Sequence, residues 1–421
     1  MQRRHLILGA SATGVAAAVA LRPGDRGGAH DAYFQTLARA LQDHPAQPTL
    51  VVDKTRLQAN LRRIRTLAHS KLPLRVVVKS LPSVPLLDEA LTAWQTERAM
   101  LFNAQQLALI AKTRPQLDLL LGKPLRASAA RWALEQAGNS PAALRTQWLV
   151  DSTALLADYR TLAQGLGRPL RINLEIDVGL HRGGVESAAQ MTEMLTLLRN
   201  EPLLEFAGLM GYDAHLAAIP DLPGNRSQAL AHAQARYADM LALARQALGS
   251  ASGAPWTLNA AGSPTFHLHD DQHAPNELSV GSAAVKPLDF DKPSLASLEP
   301  AAFIATPVLK TMETFRLPRG AETVSALARW WDVNQRQALA IHGGHWLADP
   351  VSPPGVQASG LYGPSSNQQV MVAPPSVGLR AGDWVFFRPR QSEAVFLQFG
   401  PLAVFEQGRL DAQWPVFPAS A

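Results

Sequence analysis

The chain has 421 residues, 47% hydrophobic and 17% charged, with a mean hydropathy of −0.04. That mixture excludes both a disordered chain and a multi-span membrane protein. The net charge of +5, from 39 Lys+Arg against 34 Asp+Glu, is scattered without a basic block, which argues against a nucleic-acid partner. Cysteine is absent, so disulfides, thiolate nucleophiles and Cys-ligated zinc or iron–sulfur centres are excluded.

Residues 1–23 read as a targeting segment. Arg3 and Arg4 precede a weakly apolar run from Leu6 to Leu21, too short for the ~20 residues of a membrane span. Ala18-Val19-Ala20 offers a small-x-small cleavage site. The paired arginines resemble a twin-arginine export signal, which predicts a periplasmic protein with no stable membrane span.

Short β-rich apolar runs follow at residues 49–53, 75–79, 99–103, 117–121, 147–151, 170–177, 205–212 and 256–260. Helix-period stretches separate them, and Asp53-Lys54-Thr55 and Asp151-Ser152 supply helix-start residues. Runs without in/out alternation belong to strands buried on both faces. Eight of them with helices between predict an α/β fold, a (β/α)8 barrel over residues 24–290. A doubly wound sheet is the competitor, but no Gly-rich phosphate turn follows the first run. From about Phe303, short strand-like segments at 338–341, 368–372, 384–388 and 395–405 alternate with Pro/Gly-rich turns. They predict a C-terminal all-β domain over residues 300–421.

Chemistry in such a barrel sits at the C-terminal strand ends. Lys79 finishes an apolar strand, where desolvation makes an amine nucleophilic; an ordinary salt-bridged barrel lysine is the bland reading. Arg182 lies in a Gly-flanked loop after the run ending at Asp177 and suits an anion or a ring nitrogen. Tyr212 and His215 bring acid–base groups to the end of another run. The segment Asn259–Thr265 offers backbone N–H groups and hydroxyls to a phosphate. His267, His269, Asp270, Asp271 and His273 form a metal-like composition that reads as a solvent loop.

Taken together, Thr49-Leu50-Val51-Val52-Asp53 with Asn60, Lys79, EIDVGLHRGGV, GYDAH, AGSPT and Asn276–Ser282 resemble fold-type III pyridoxal-phosphate enzymes, in the D-threonine aldolase / D-serine dehydratase-like branch related to alanine racemase. The resemblance implies pyridoxal 5'-phosphate carried by Lys79, with Arg182 beside the pyridine ring. It implies Tyr212 and His215 in the substrate pocket, and Gly262, Ser263, Gly281 and Ser282 around the phosphate. It also implies a homodimer with composite active sites.

Two departures stand out. Where the family carries a His-x-Cys or His-x-Asp metal pair, this chain has Gln391 and Glu393, and Ser-Glu-Glu-His is altered to Ser366-Asn367-Gln368-Gln369. Glu393 alone is a weak ligand, for a hard cation if any, so a divalent metal is left open. Ser279 stands where alanine racemases place an arginine beside the ring nitrogen.

The resulting expectation is a lyase acting on a small D-amino acid with a β-hydroxyl group, by aldol cleavage or elimination. Lys79, His215 and Tyr212 are its catalytic candidates. An amino-acid racemase, or a cofactor-binding protein without catalysis, is the other reading.

Overall fold

The computed structural model describes residues 22–69, 71–220, 222–249 and 255–418, so the expected export signal lies almost wholly outside the described residues. The chain divides into two compact units. One gathers the residues up to Asp53 with Ala302–Arg390 and Leu402–Gln413; the other gathers Lys54–Ala301, Gln391–Pro401 and the segment from Trp414.

β1 (Thr49–Asp53) opens the chain's strands but belongs to the first unit. The second unit is a closed, all-parallel barrel of eight strands: β2 (Leu74–Val77), β3 (Arg98–Leu101), β4 (Asp118–Leu121), β5 (Gln147–Val150), β6 (Leu170–Glu175), β7 (Leu204–Gly211), β8 (Thr257–Ala260) and β9 (Glu277–Val280). Closure comes from β2 against β9, pairing Leu74 with Leu278 and Val76 with Val280. Helices follow the strands, as the 3.6-residue periodicity predicts. Asn103, Ser152 and Ser187 cap the helices Ala104–Thr113, Thr153–Leu166 and Ala188–Asn200 by accepting a main-chain N–H two or three residues into each helix. Gly208 lets β7 approach β8: its φ is +151°, and a Cβ there would overlap the Thr257 carbonyl.

The first unit is mainly strand. Its nine-stranded sheet, among the described residues, runs β13 (Gln357–Ala358), β14 (Gln368–Ala373), β11 (Gln337–His342), β10 (Ala302–Met312), β1, β16 (Leu402–Glu406), β17 (Arg409–Trp414), with β12 (Ala348–Ser352) and β15 (Trp384–Pro389) paired alongside. Phe34, Leu37, Val51, Phe303, Phe386 and Phe405 form its core.

Three sequence expectations are corrected. Thr49–Asp53 is not a barrel strand: it pairs antiparallel with β10 and parallel with β16. Both its faces are buried in either setting, so its apolar run does not reveal its partners. The eighth barrel strand is β9, whose Glu277 and Ser279 break the apolar pattern because they point into the barrel. The expected strand 395–405 begins instead as helix (Ser392–Val395) and a 3-10 turn (Phe396–Gln398), with only Leu402–Glu406 extended beyond the Gly400-Pro401 break.

Inside the barrel lies a buried charged layer. Arg75, fully buried, donates to both oxygens of Glu277 (2.5 and 2.9 Å), to Asp118 Oδ2 (3.1 Å) and to the Asp118 and Ala99 carbonyls. Arg98 donates to Glu277 Oε2, and Gln147 to Asp118 and Thr257. Burial works against the Arg75 charge, but Glu277 and Asp118 outweigh it and hold the guanidinium above its ordinary pKa. Breaking such a pair leaves an unpaired buried charge. Glu277→Ala should therefore cost about 3–5 kcal/mol of stability in denaturant unfolding; a loss below about 1 kcal/mol would mean that the layer carries no such weight.

Candidate active site

Strand alternation builds the site directly above this charged layer. Counting up by twos, β2 supplies Arg75 and Val77, β3 supplies Arg98 and Met100, and β9 supplies Glu277 and Ser279; Lys79, Phe102 and Gly281 follow just past the ends of these strands. Val77, Lys79, Met100, Phe102, Tyr212, Asn259 and Ser279 line one cavity with Arg182, Ser263, Ser282, Phe290 and Glu393.

Lys79 sits in a 3-10 turn just past β2. Its Nζ lies 3.5 Å from Glu393 Oε1 and 4.9 Å from the Phe102 ring centroid. The Arg182 guanidinium lies 4.9 Å from the Tyr212 ring centroid. Burial pushes the Tyr212 phenol above its ordinary pKa; Arg182 works against this, while Asp213 and Glu393 add to it. At neutral pH Tyr212 therefore keeps its proton.

Two loops close the other side of the cavity, after β8 and β9, the seventh and eighth barrel strands. Ser263 Oγ accepts from the main-chain N–H groups of Gly281 (3.0 Å) and Ala283 (3.1 Å). Ser282 Oγ donates to Ser80 Oγ at 2.8 Å. Gly262 and Gly281 lie at close approaches: a Cβ on the first would sit 2.6 Å from the Tyr212 ring, and on the second 2.7 Å from Val77 Cβ. The Gly262 N–H donates to Thr265 Oγ1, which donates to Asp213.

These features fit pyridoxal phosphate. One amine stands at the mouth, aromatic faces flank the cavity, and two Ser/Gly loops bring the Ser263 and Ser282 hydroxyls to its wall, Ser263 being held in place by the Gly281 and Ala283 N–H groups. At the floor, Ser279 and Asn259 bond each other reciprocally (2.8 and 3.1 Å), a neutral pair.

The structure thus brings Lys79, Arg182, Tyr212, Ser263 and Ser282 together, with Gly262 and Gly281 in the loops behind them. His215 does not line the cavity. Its Nδ1 is buried without a partner, and burial lowers its pKa. His269, expected in a solvent loop, is buried and bonds Asp213 through Nε2 at 2.6 Å, while Asp270 and His273 pair at the surface. Among the described residues no three His, Asp or Glu side chains are grouped for a metal.

Sequence reasoning passed over Glu175, at the end of β6. Burial, aided by the like charges of Asp151 and Asp177 and opposed by Arg182, raises its pKa to about 7 from 4.5. A raised carboxyl stabilises the fold fully below about 4.5, and that contribution is lost as pH rises through about 7. Glu175→Gln removes this titration. It should raise the Tm over wild type by several degrees at about pH 8.5 and leave it unchanged at about pH 4; a pH-independent difference would contradict the burial effect.

A curated 3-hydroxy-D-aspartate aldolase from Paracoccus denitrificans is 28% identical over 144 residues, 34% of this chain and 36% of that protein. The chain therefore matches about a third of its relative's length. The D-threonine aldolase structure from Filomicrobium marinum superposes with a TM-score of 0.67 at 20% identity, covering 88% of this chain and 97% of that one. D-threo-3-hydroxyaspartate dehydratase from Delftia sp. HT23 gives 0.66 at 16% identity, covering 90% and 98%. At these identities the two structures establish a shared fold. The family model of the alanine racemase N-terminal domain matches residues 52–287, more than half of the 421, and the chain belongs to that family.

Proposed function

We propose that the protein is a pyridoxal-phosphate-dependent lyase acting on a D-amino acid with a β-hydroxyl group. The observation that carries this reading is the single cavity in which an amine at a barrel strand end faces two Ser/Gly loops following the last two barrel strands. Family membership and the names of the relatives support it.

Bound at this place, the cofactor supplies an aldehyde that captures amines and a ring that withdraws electrons from the α carbon. Lys79 would hold it covalently, and Ser263, Ser282 and the adjoining main-chain N–H groups would hold its phosphate. Phe102, Tyr212 and Phe290 exclude water from the space between. Arg182 orients an anionic group, and Tyr212, which keeps its proton, donates a hydrogen bond rather than accepting a proton. Lys79 Nζ, when not engaged with the cofactor, would be the group placed to move a proton at the substrate's α carbon.

Borohydride reduction followed by peptide mapping tests the reading. A pyridoxyl adduct is expected on Lys79 and none in Lys79→Ala; an undiminished adduct on another lysine would end the assignment. Assays of D-threonine, D-serine and D-3-hydroxyaspartate against their L-enantiomers identify the reaction. Interconversion of enantiomers without cleavage would make the protein a racemase.

We further infer export through the twin-arginine route, on the strength of Arg3, Arg4 and the run to Leu21, and a homodimer, on the strength of the family. Replacing Arg3 and Arg4 by Lys should leave the protein in the cytoplasm. Unimpaired export would remove the first inference, and a monomeric mass in solution the second.

A further inference from the structure

We propose that Glu393 is the catalytic base of this site and that it makes aldol cleavage independent of any metal. The inference rests on the lyase reading above and adds to it the group that takes the β-hydroxyl proton.

The chain returns to the barrel to supply this residue. Gln391–Pro401 belongs to the barrel unit, although the residues on both sides of it build the other sheet. Helix Ser392–Val395 sets Glu393 at the cavity, where it is the one carboxylate among the described lining residues. Oε1 lies 3.5 Å from Lys79 Nζ, and Oε2 accepts from Ser392 Oγ at 3.2 Å.

The same geometry fits a metal poorly. Gln391 donates its amide to Asp289 Oδ2 at 3.0 Å, so it is engaged by a barrel loop. What remains is one carboxylate, whose Oε1 faces Lys79 Nζ at 3.5 Å, and a single carboxylate is a poor ligand set for a divalent cation. Imidazole or thiolate donors, which would hold a borderline cation, are missing from these two positions. Other bases are also poorly suited: Tyr212 keeps its proton, and His215 does not line the cavity.

The proton balance then closes within the pair. Glu393 takes the β-hydroxyl proton, and the O–H electron pair becomes the carbonyl bond of the leaving aldehyde. The Cα–Cβ bond breaks, and its electron pair stays on the α carbon, delocalised into the pyridoxal phosphate ring. The proton passes from Glu393 to Lys79 Nζ and on to the α carbon, releasing glycine when the substrate is a β-hydroxy amino acid of the threonine type. A carboxylate base promotes this cleavage; it does not assist departure of hydroxide, so elimination is disfavoured.

The test uses the full-length holoprotein with D-threonine and D-3-hydroxyaspartate, reading aldehyde and glycine. Chelation should leave kcat within about two-fold. Glu393→Gln should lower kcat by about 10²–10⁴-fold while the borohydride-fixed adduct on Lys79 persists, and Glu393→Asp should recover part of the loss. The persisting adduct shows that the variant still folds and binds cofactor. Activity lost on chelation and restored by zinc or manganese would overturn the proposal, as would wild-type kcat in Glu393→Gln. An adduct-bearing wild type that yields pyruvate from D-serine but no aldehyde would overturn it too. A wild type with no adduct on Lys79 would instead sink the cofactor reading beneath it.

Discussion

Everything at the barrel mouth depends on how the barrel is filled below it. Arg75 on β2 and Glu277 on β9 join the two strands that close the cylinder, and both side chains are fully buried. Two charges so placed are costly to desolvate, and only the dense pairing with Asp118, Arg98, Asn259 and main-chain carbonyls offsets that cost. The layer has a geometric consequence. With Arg75 pointing inward, period-two alternation obliges Val77 to point inward as well, and the same rule places Ser279 above Glu277 and Met100 above Arg98, while Lys79 follows in the 3-10 turn just past β2. A one-residue slip in any of these strands would both expose the ion pairs to the apolar outer face and empty the cavity of its functional side chains. Register and site are therefore fixed by the same contacts.

The loops carry a second, local layer of order. Asp213 receives the Thr265 hydroxyl and the His269 ring nitrogen at 2.6 Å each, and Thr265 in turn holds the Gly262 N–H. A buried carboxylate with two short donors ties the end of β7 to the loop after β8. Tight approach does the rest, because Gly262 lies where any side chain would collide with Tyr212. The residues facing a bound phosphate are thus braced from behind by groups that do not line the cavity themselves.

Most of the mouth was legible from the chain because strand-end positions can be counted. Lys79, Arg182 and Tyr212 each follow an apolar run, and the structure brings them to one cavity with Ser263 and Ser282. What was not legible follows from two physical facts. Polar residues that satisfy one another inside a barrel erase the hydrophobic signature of the strands that carry them, which is why β9 went unread as a strand while the apolar strand β1 was counted into the barrel. Long-range returns of the chain leave no periodic trace either: nothing local to Gln391–Pro401 says that it packs with the barrel, so Glu393 looked like the remnant of a metal pair rather than the neighbour of Lys79. His269 misled for a related reason, since a run of His and Asp looks solvated until a buried partner such as Asp213 is found.

The vertical distribution of charge explains where acid–base work can occur. In the lowest layer Arg75 and Glu277 are sealed, and Asp118 and Arg98 hold them from its half-exposed edge. The floor above it is neutral: Asn259 donates to both Glu277 and Ser279, and the Ser279 hydroxyl donates back to Asn259 Oδ1. A hydroxyl and an amide so engaged can meet a ring nitrogen with a hydrogen bond but, unlike a carboxylate, cannot hold a protonated ring by opposite charge. The ring's electron demand is correspondingly moderated. The mouth, with Lys79, Arg182, Tyr212 and Glu393, gathers ionisable groups around the cavity. A site with a neutral floor cannot rely on the ring alone to stabilise charge on the α carbon, and it gains most from reactions in which bond breaking and proton removal are driven from the substrate's far end. Glu393, the base proposed above, stands beside Lys79 at the mouth, where such a reaction needs one.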